Sequence, residues 1–195
     1  MICRELELVE GFYDTAECEH FLRYFLEEHH WPDNHYCYAG RRFVLPRLQT
    51  WHADAGVRYS YSNNLLVTRP WNNILSQIRA DVEAKLNQVF NSVLVNYYRN
   101  GEDHVGWHAD DEPELSESPC IASVSFGTDR VFSFRHKQTQ ETDTLILPTG
   151  SLLIMQPGFQ SDWFHSIPAD PKIDHARINL TFRKVVFQSK SKNGA

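Results

Sequence analysis

Apolar residues recur along the chain at two different periods. Behind Asp14 and Glu17, the residues Cys18, Phe21, Leu22 and Phe25 fall at i, i+3, i+4 and i+7. That spacing puts four apolar groups on one helical face, and Asp-x-x-Glu is a capping box for its first free amides. The helix should end before Pro32. Pro70-Trp71 leads into a second helix, whose apolar face is Leu75, Ile78, Val82, Leu86 and Val89. From Ser92 the period falls to two. Candidate strands are Val93–Tyr98, Ile121–Phe126, Val131–Arg135, Thr144–Leu147, Ser151–Met155 and Arg177–Val186, separated by turn residues such as Gly127-Thr128-Asp129 and Pro148-Thr149-Gly150. Leu6–Val9 alternates weakly. Residues 36–67 read as extended segments joined by turns, with a hairpin tip at Ala39-Gly40 and further strand character at Tyr59, Tyr61 and Leu65–Val67. The pattern predicts an α+β, mainly β chain, a β-sandwich or jelly roll buttressed by N-terminal helices.

At 195 residues the chain suits one domain, with residues 92–187 as its jelly-roll core and 36–70 as the expected nucleotide-recognition segment. No long uncharged apolar run predicts a membrane span, and Met1–Glu10 lacks the pattern of a signal peptide. Cys3, Cys18, Cys37 and Cys120 are scattered, which suits reduced thiols. The expected setting is therefore intracellular: cytoplasmic if bacterial, nuclear if eukaryotic. The net charge of -6 argues against a nucleic-acid binder until its distribution is read. Residues 1–35 carry two arginines against nine acids, whereas residues 38–70 carry five (Arg41, Arg42, Arg47, Arg58, Arg69) against Asp54 alone. A basic, aromatic-rich centre is compatible with phosphate contacts; charge alone favours a solvated surface. His29, His30 and His35 read as surface residues at the end of the first helix.

The chemistry concentrates in Asn96–Glu112. A strand enters it, a Gly-containing loop follows, and His108-Ala109-Asp110 comes next. In extended backbone, i and i+2 share a face, so an imidazole and a carboxylate lie side by side. His104 and His108 fit a helical zinc motif in spacing, but Gly101 and Gly106 argue against a helix. A third metal leg must come from elsewhere, and His165, after an apolar strand and a turn, is the choice. Two histidines and one carboxylate on one face match the way non-haem iron(II) oxygenases hold iron. Downstream, Arg177, Asn179, Thr181 and Arg183 alternate strictly with Ile178, Leu180 and Phe182. Inward-facing arginines demand an anionic partner, such as a dicarboxylate. An outward polar face explains the same alternation.

Taken in order, His108-x-Asp110, His165 and Arg177-x-Asn-x-Thr-x-Arg183 resemble the AlkB family of iron(II)- and 2-oxoglutarate-dependent dioxygenases. Asn96-x-Tyr98, Ser123-Val124-Ser125-Phe126-Gly127, Arg135-His136-Lys137 and Gly150-Ser151-Leu152-Leu153 extend the likeness over residues 36–187, and it is closest to members that repair alkylated DNA. The resemblance implies a double-stranded β-helix with His108, Asp110 and His165 as both catalytic centre and iron ligands. It implies Asn96, Tyr98, Arg177, Thr181 and Arg183 around 2-oxoglutarate, with Arg177 favoured for the far carboxylate. It implies dioxygen as second co-substrate, and N-alkyl groups of bases such as N1-methyladenine and N3-methylcytosine removed as aldehyde. Tyr59, Tyr61, Ser62, Asp111 and Glu112 match positions that face the damaged base.

The expected partner is alkylated DNA, single- or double-stranded, with RNA a further possibility; no membrane is expected, and the chain is expected to be a monomer. Duplex-repairing relatives can carry a bulky wedge residue where this chain has Ala39, which turns attention to single strands. Arg41, Arg42, Arg135 and Lys137 are candidate phosphate contacts. Competing readings are the same chemistry on RNA or a protein side chain, a catalytically idle jelly roll that binds nucleic acid, and a cupin-like metal protein.

Overall fold

The computed structural model describes residues 3–33, 35–38, 40–57, 60–61, 64–65, 67–115 and 118–186, with the side chains of 36–38, 60–61 and 64–65 left aside. Its elements begin with Leu6–Val9 (β1), Thr15–Glu27 (α1), His35–Tyr38 (β2), Arg41–Val44 (β3), Leu48–Ala53 (β4), Ser60–Tyr61 (β5), Asn64–Leu65 (β6), Thr68–Arg69 (β7) and Asn73–Leu86 (α2). Ser92–Tyr98 (β8), Val105–His108 (β9), Ile121–Gly127 (β10), Arg130–His136 (β11), Thr142–Leu147 (β12), Ser151–Met155 (β13), Phe159–Asp162 (α3), Trp163–Ile167 (β14) and Arg177–Arg183 (β15) follow.

Both predicted helices form for the predicted reasons. Asp14 accepts from the Glu17 amide at 2.9 Å and Glu17 reaches back to the Asp14 amide at 3.0 Å, closing the capping box. Cys18, Phe21 and Phe25 are the buried face of α1. Asn72 caps α2 through the Leu75 amide, and Asn87 ends it in the left-handed conformation at φ 50°. That stop excludes Val89 from the helical stripe; it is exposed. His29 also departs from expectation. It is buried, 2.9 Å from Thr50 Oγ1, with its ring against Trp31 and His52.

The strands form two facing sheets. The larger runs β1-β13-β10-β15-β8-β4-β7, antiparallel except for β4 with β7; the smaller runs β12-β11-β14-β9 and is wholly antiparallel. β2 and β3 form a separate hairpin, and Ala39 at its tip lies outside the described residues. The helices pack on the outer face of the larger sheet: Phe21, Phe25, Leu75, Ile78 and Val82 meet Val95, Val124, Ile178, Leu180 and Phe182 in one cluster. Its inner face meets the smaller sheet, where Leu153 and Met155 pack with Phe132, Phe134 and Phe159. Strand β15, between β10 and β8, is consequently buried on both faces. Its apolar residues serve the helices, and its polar residues face the space between the sheets.

A dense set of bonds holds the open end of that space. Arg130, at the start of β11, is buried and donates to the carbonyls of Asn100, Asp103 and Pro168. It thereby ties the loop before β9 to the turn after β14. Gly101 lies in the same seam, donating to Ile173 O and accepting from the Asp170 amide, each at 2.8 Å. A Cβ there would collide with the Asp170 carbonyl, so the approach requires glycine.

Candidate metal centre and co-substrate pocket

Strands β9 and β14 are neighbours in the smaller sheet, and His108 and His165 are direct register partners. Cross-strand pairing brings the two rings to 4.2 Å between centroids. Asp110 follows His108 by two residues, and its Oδ1 lies 3.8 Å from His108 Nε2. One donor atom from each of the three residues falls within 4.8 Å of the others. The predicted cluster therefore assembles from two strands and a turn.

The surroundings fix the chemical state of each group. His108 Nδ1 sits 2.8 Å from the Gly106 carbonyl, which can only accept, so the proton is on Nδ1 and the lone pair on Nε2. Burial pushes the imidazole pKa values down, His165 to about 3, so both rings are neutral at pH 7 and suited to ligation. Burial works the other way on Asp110, but Arg183 and the two imidazoles outweigh it and hold the carboxylate near 2. Arg183 donates to Asp110 Oδ2 through Nη2 at 2.6 Å and Nε at 3.2 Å. The Asp110 amide donates to Gln160 Oε1 at 2.9 Å. One carboxylate oxygen is thus committed, while Oδ1 is buried without a hydrogen-bond partner. An orphaned anionic oxygen beside two neutral imidazoles is the donor set a divalent cation satisfies, so these residues fit iron(II).

The residues expected around 2-oxoglutarate line the same cavity. Asn96, Tyr98, Arg177, Thr181 and Arg183 all reach it, together with His108, Asp110 and His165. It offers about 50 Å³ to the centres of water-sized spheres, several times the roughly 10–15 Å³ that one water needs. Register explains the convergence: Arg177 pairs with Tyr98, Asn179 with Asn96 and Thr181 with Leu94 across β15 and β8. Arg177 is only 1% exposed, and burial pulls its pKa down to about 10, still charged at pH 7. Its Nη2 donates to Ser125 Oγ at 3.0 Å, whereas Nε and Nη1 are buried with no hydrogen-bond partner among the described residues. The Tyr98 ring lies between two cations, 5.1 Å from Arg177 Cζ and 5.5 Å from Arg130 Cζ. A buried guanidinium with two unsatisfied donor atoms fits a carboxylate.

The outward-face explanation of β15 is therefore excluded, and two further readings change. Arg47, counted with the basic stretch, is buried in this cavity and donates to Asn96 Oδ1 at 3.0 Å, with the buried Gln49 amide alongside. Arg69 is engaged with the His30 carbonyl. Sequence reasoning also missed Gln160 and Arg130, which position Asp110 and Tyr98. For Arg47 the only available signal was its place directly before β4, the strand beside Asn96. Among the residues expected to face the base, Asp111 is exposed and accepts from Lys137 Nζ at 3.3 Å, and Glu112 beside it is half-buried. Tyr59 and Ser62 lie outside the described residues, as does the Tyr61 side chain.

Comparison with known proteins agrees with this geometry. A family model described as the 2OG-Fe(II) oxygenase superfamily matches residues 5–183. The DNA oxidative demethylase ALKBH2 of Mus musculus is 43% identical over 155 residues, 75% of this chain and 65% of its own length. The human alpha-ketoglutarate-dependent dioxygenase alkB homolog 3 is 35% identical over 188 residues, 91% of this chain and 65% of its own length. The chain thus spans slightly under two thirds of these relatives. The solved structure of OsALKBH1 superposes with a TM-score of 0.66 at 17% identity, covering 94% of this chain and 98% of that one, a likeness of fold.

Proposed function

The chain belongs to the 2OG-Fe(II) oxygenase superfamily, and from that premise we propose that it is an oxidative demethylase of N-alkylated bases in DNA. The observation that carries the proposal is the meeting of a His-Asp-His cluster and a buried, under-bonded arginine in one cavity. The similarity to DNA oxidative demethylases supports the substrate class. N1-methyladenine and N3-methylcytosine are the expected lesions, because a base that cannot pair costs least to extrude.

His108, Asp110 and His165 would hold iron(II), and the cavity they line with Arg177 would take 2-oxoglutarate. When bound, the metal supplies dioxygen activation coupled to decarboxylation of 2-oxoglutarate, the chemistry that hydroxylates an N-alkyl carbon and so releases aldehyde and free base. The chain's own part is positional. Arg177 takes the far carboxylate as a charge-assisted pair, and Tyr98 is held beside it between two guanidiniums. Arg183 holds Asp110 by one oxygen, leaving the other aimed at the imidazoles. Thr181 Oγ1 donates to Asn179 Oδ1 at 3.1 Å, and Asn179 Nδ2 to Ser123 Oγ at 2.8 Å, which keeps the polar face of β15 in one arrangement. Asp111 and Glu112, directly after the metal carboxylate in the chain, accept from the exocyclic amine of a flipped cytosine or adenine.

The test is incubation of iron-loaded protein, 2-oxoglutarate and air with oligonucleotides bearing either lesion, in DNA and RNA, read by mass and by formaldehyde. Demethylated DNA base with stoichiometric succinate is expected. Succinate without any base repair rejects the substrate class, and repair confined to RNA redirects it.

A further inference from the structure

Trp107 adjoins the ligand His108 on β9, and strand alternation turns it the other way, onto the outer face of the smaller sheet. It stays 42% exposed, although an indole is among the most costly side chains to leave in water. Arg135 of β11 reaches across β14 to lie over it, with Cζ 4.7 Å from the ring centre. The Arg135 guanidinium has no carboxylate or hydrogen-bond partner among the described residues, and its Nε is buried bare. Other half-exposed arginines differ: Arg79 bridges Asp54 and Glu83, and Arg99 clasps Asp103. Two residues on, Lys137 lies 4.9 Å from the Phe164 ring centre and donates to Gln160 O and to Asp111. Indole, guanidinium, phenyl and ammonium thus form a row that ends at the residue following the metal carboxylate.

Alternating aromatic faces and cations are what a single nucleic-acid strand requires: rings for its unpaired bases and positive charge for its phosphates. We infer that Trp107 and Arg135 form a stacking step for an unpaired base flanking the damaged one, with Arg135 also meeting the adjoining phosphate. The occupant is single-stranded DNA, since a duplex keeps its flanking bases stacked on each other. This deepens the demethylase reading and rests on it for the identity of the strand, but binding can be read without turnover.

The experiment measures fluorescence anisotropy of a labelled single-stranded oligodeoxynucleotide carrying N3-methylcytosine. W107A is expected to raise Kd about tenfold, the scale of one base–aromatic stack, and W107F to recover most of the loss. In the wild-type protein, abasic sites at the positions flanking the lesion should raise Kd similarly and erase the difference between W107A and wild type. On the matched duplex, W107A should change Kd by less than about twofold, because its flanking bases are not available to stack. Equal Kd for W107A and wild type on the intact strand overturns the inference, as does an equal loss on intact and abasic strands. Should W107A misfold, the W107F and wild-type abasic arms decide alone. A wild-type protein that stacks the strand but repairs nothing refutes the demethylase and keeps the platform.

Discussion

The two arginines of β15 have the same charge and near-identical burial, yet their surroundings assign them different work. Arg183 is committed to the Asp110 carboxylate, whereas Arg177 meets no carboxylate among the described residues, just the neutral Ser125 hydroxyl and the Tyr98 side chain. Removing Arg177 should therefore weaken 2-oxoglutarate and leave iron in place, and removing Arg183 should loosen the metal carboxylate. For Arg177→Met the expected outcome is a KM for 2-oxoglutarate raised about 10- to 100-fold, the scale of a hydrogen bond to a charged group, with iron content per chain near wild type. For Arg183→Met the expected order is reversed, iron loss first; metal analysis alongside the 2-oxoglutarate titration separates them. The pairing of His108 with Asp110 and of Arg177 with Arg183 was legible in the sequence, because a two-residue period in a strand fixes which side chains share a face; His165 and the inward direction of the arginines came from the ordered set of motifs. Arg47 was not. A single guanidinium just before a strand carries no periodicity, and its neighbours Arg41 and Arg42, both exposed on β3, gave it the wrong company.

At the scale of elements, α1 was legible in full because a capping box and an apolar stripe are local signals. Strand β4 was not: Gln49, Thr50 and His52 are all buried, so its two covered faces leave no alternation to read. The same burial hid the contact between α1 and β4, where His29 meets Thr50 and His52. Burial pushes His29 down to about 4 from 6.5. As pH falls through that window the unfolded chain takes up the proton first, so stability is full above about 6.5 and is lost toward 4. His29→Gln should flatten, without abolishing, the fall in Tm between those values, because His52, His108 and His165 are displaced the same way. Melting curves across the range, for both proteins without metal, check it. Arg130 acts between elements, stitching the loop before β9 to the turn after β14. Arg130→Met leaves three carbonyls short of a donor and should cost about 3 kcal/mol or more in urea unfolding, at roughly 1–3 kcal/mol per buried unsatisfied group.

Across the whole molecule, the space between the sheets is built against its own stability. Arg47, Arg130, Arg177 and Arg183 are each no more than 4% exposed, while Asp110 and Asp103 are the buried acids nearby. An excess of buried cationic groups is unfavourable until an anion arrives, and Arg177 is the group with the fewest partners. The helices and their apolar cluster on the far side of the larger sheet supply the stability that such a cavity consumes. Two consequences follow for the ligand-free and ligand-bound chain. Without ligand, Arg177→Met should melt at or above the wild-type temperature, because replacing a buried, incompletely paired cation by an apolar group of similar length removes a desolvation cost. With 2-oxoglutarate and manganese(II), a redox-quiet stand-in for the iron, the wild type should gain about 2.7 kcal/mol at a hundredfold excess over Kd, whereas Arg177→Met should gain little. A crossing of the two stability orders on adding the diacid identifies Arg177 as a binding group that strains the empty fold. If Arg177→Met is instead the less stable protein in both conditions by a constant amount, the arginine is a structural brace and the far carboxylate must be held elsewhere in the cavity.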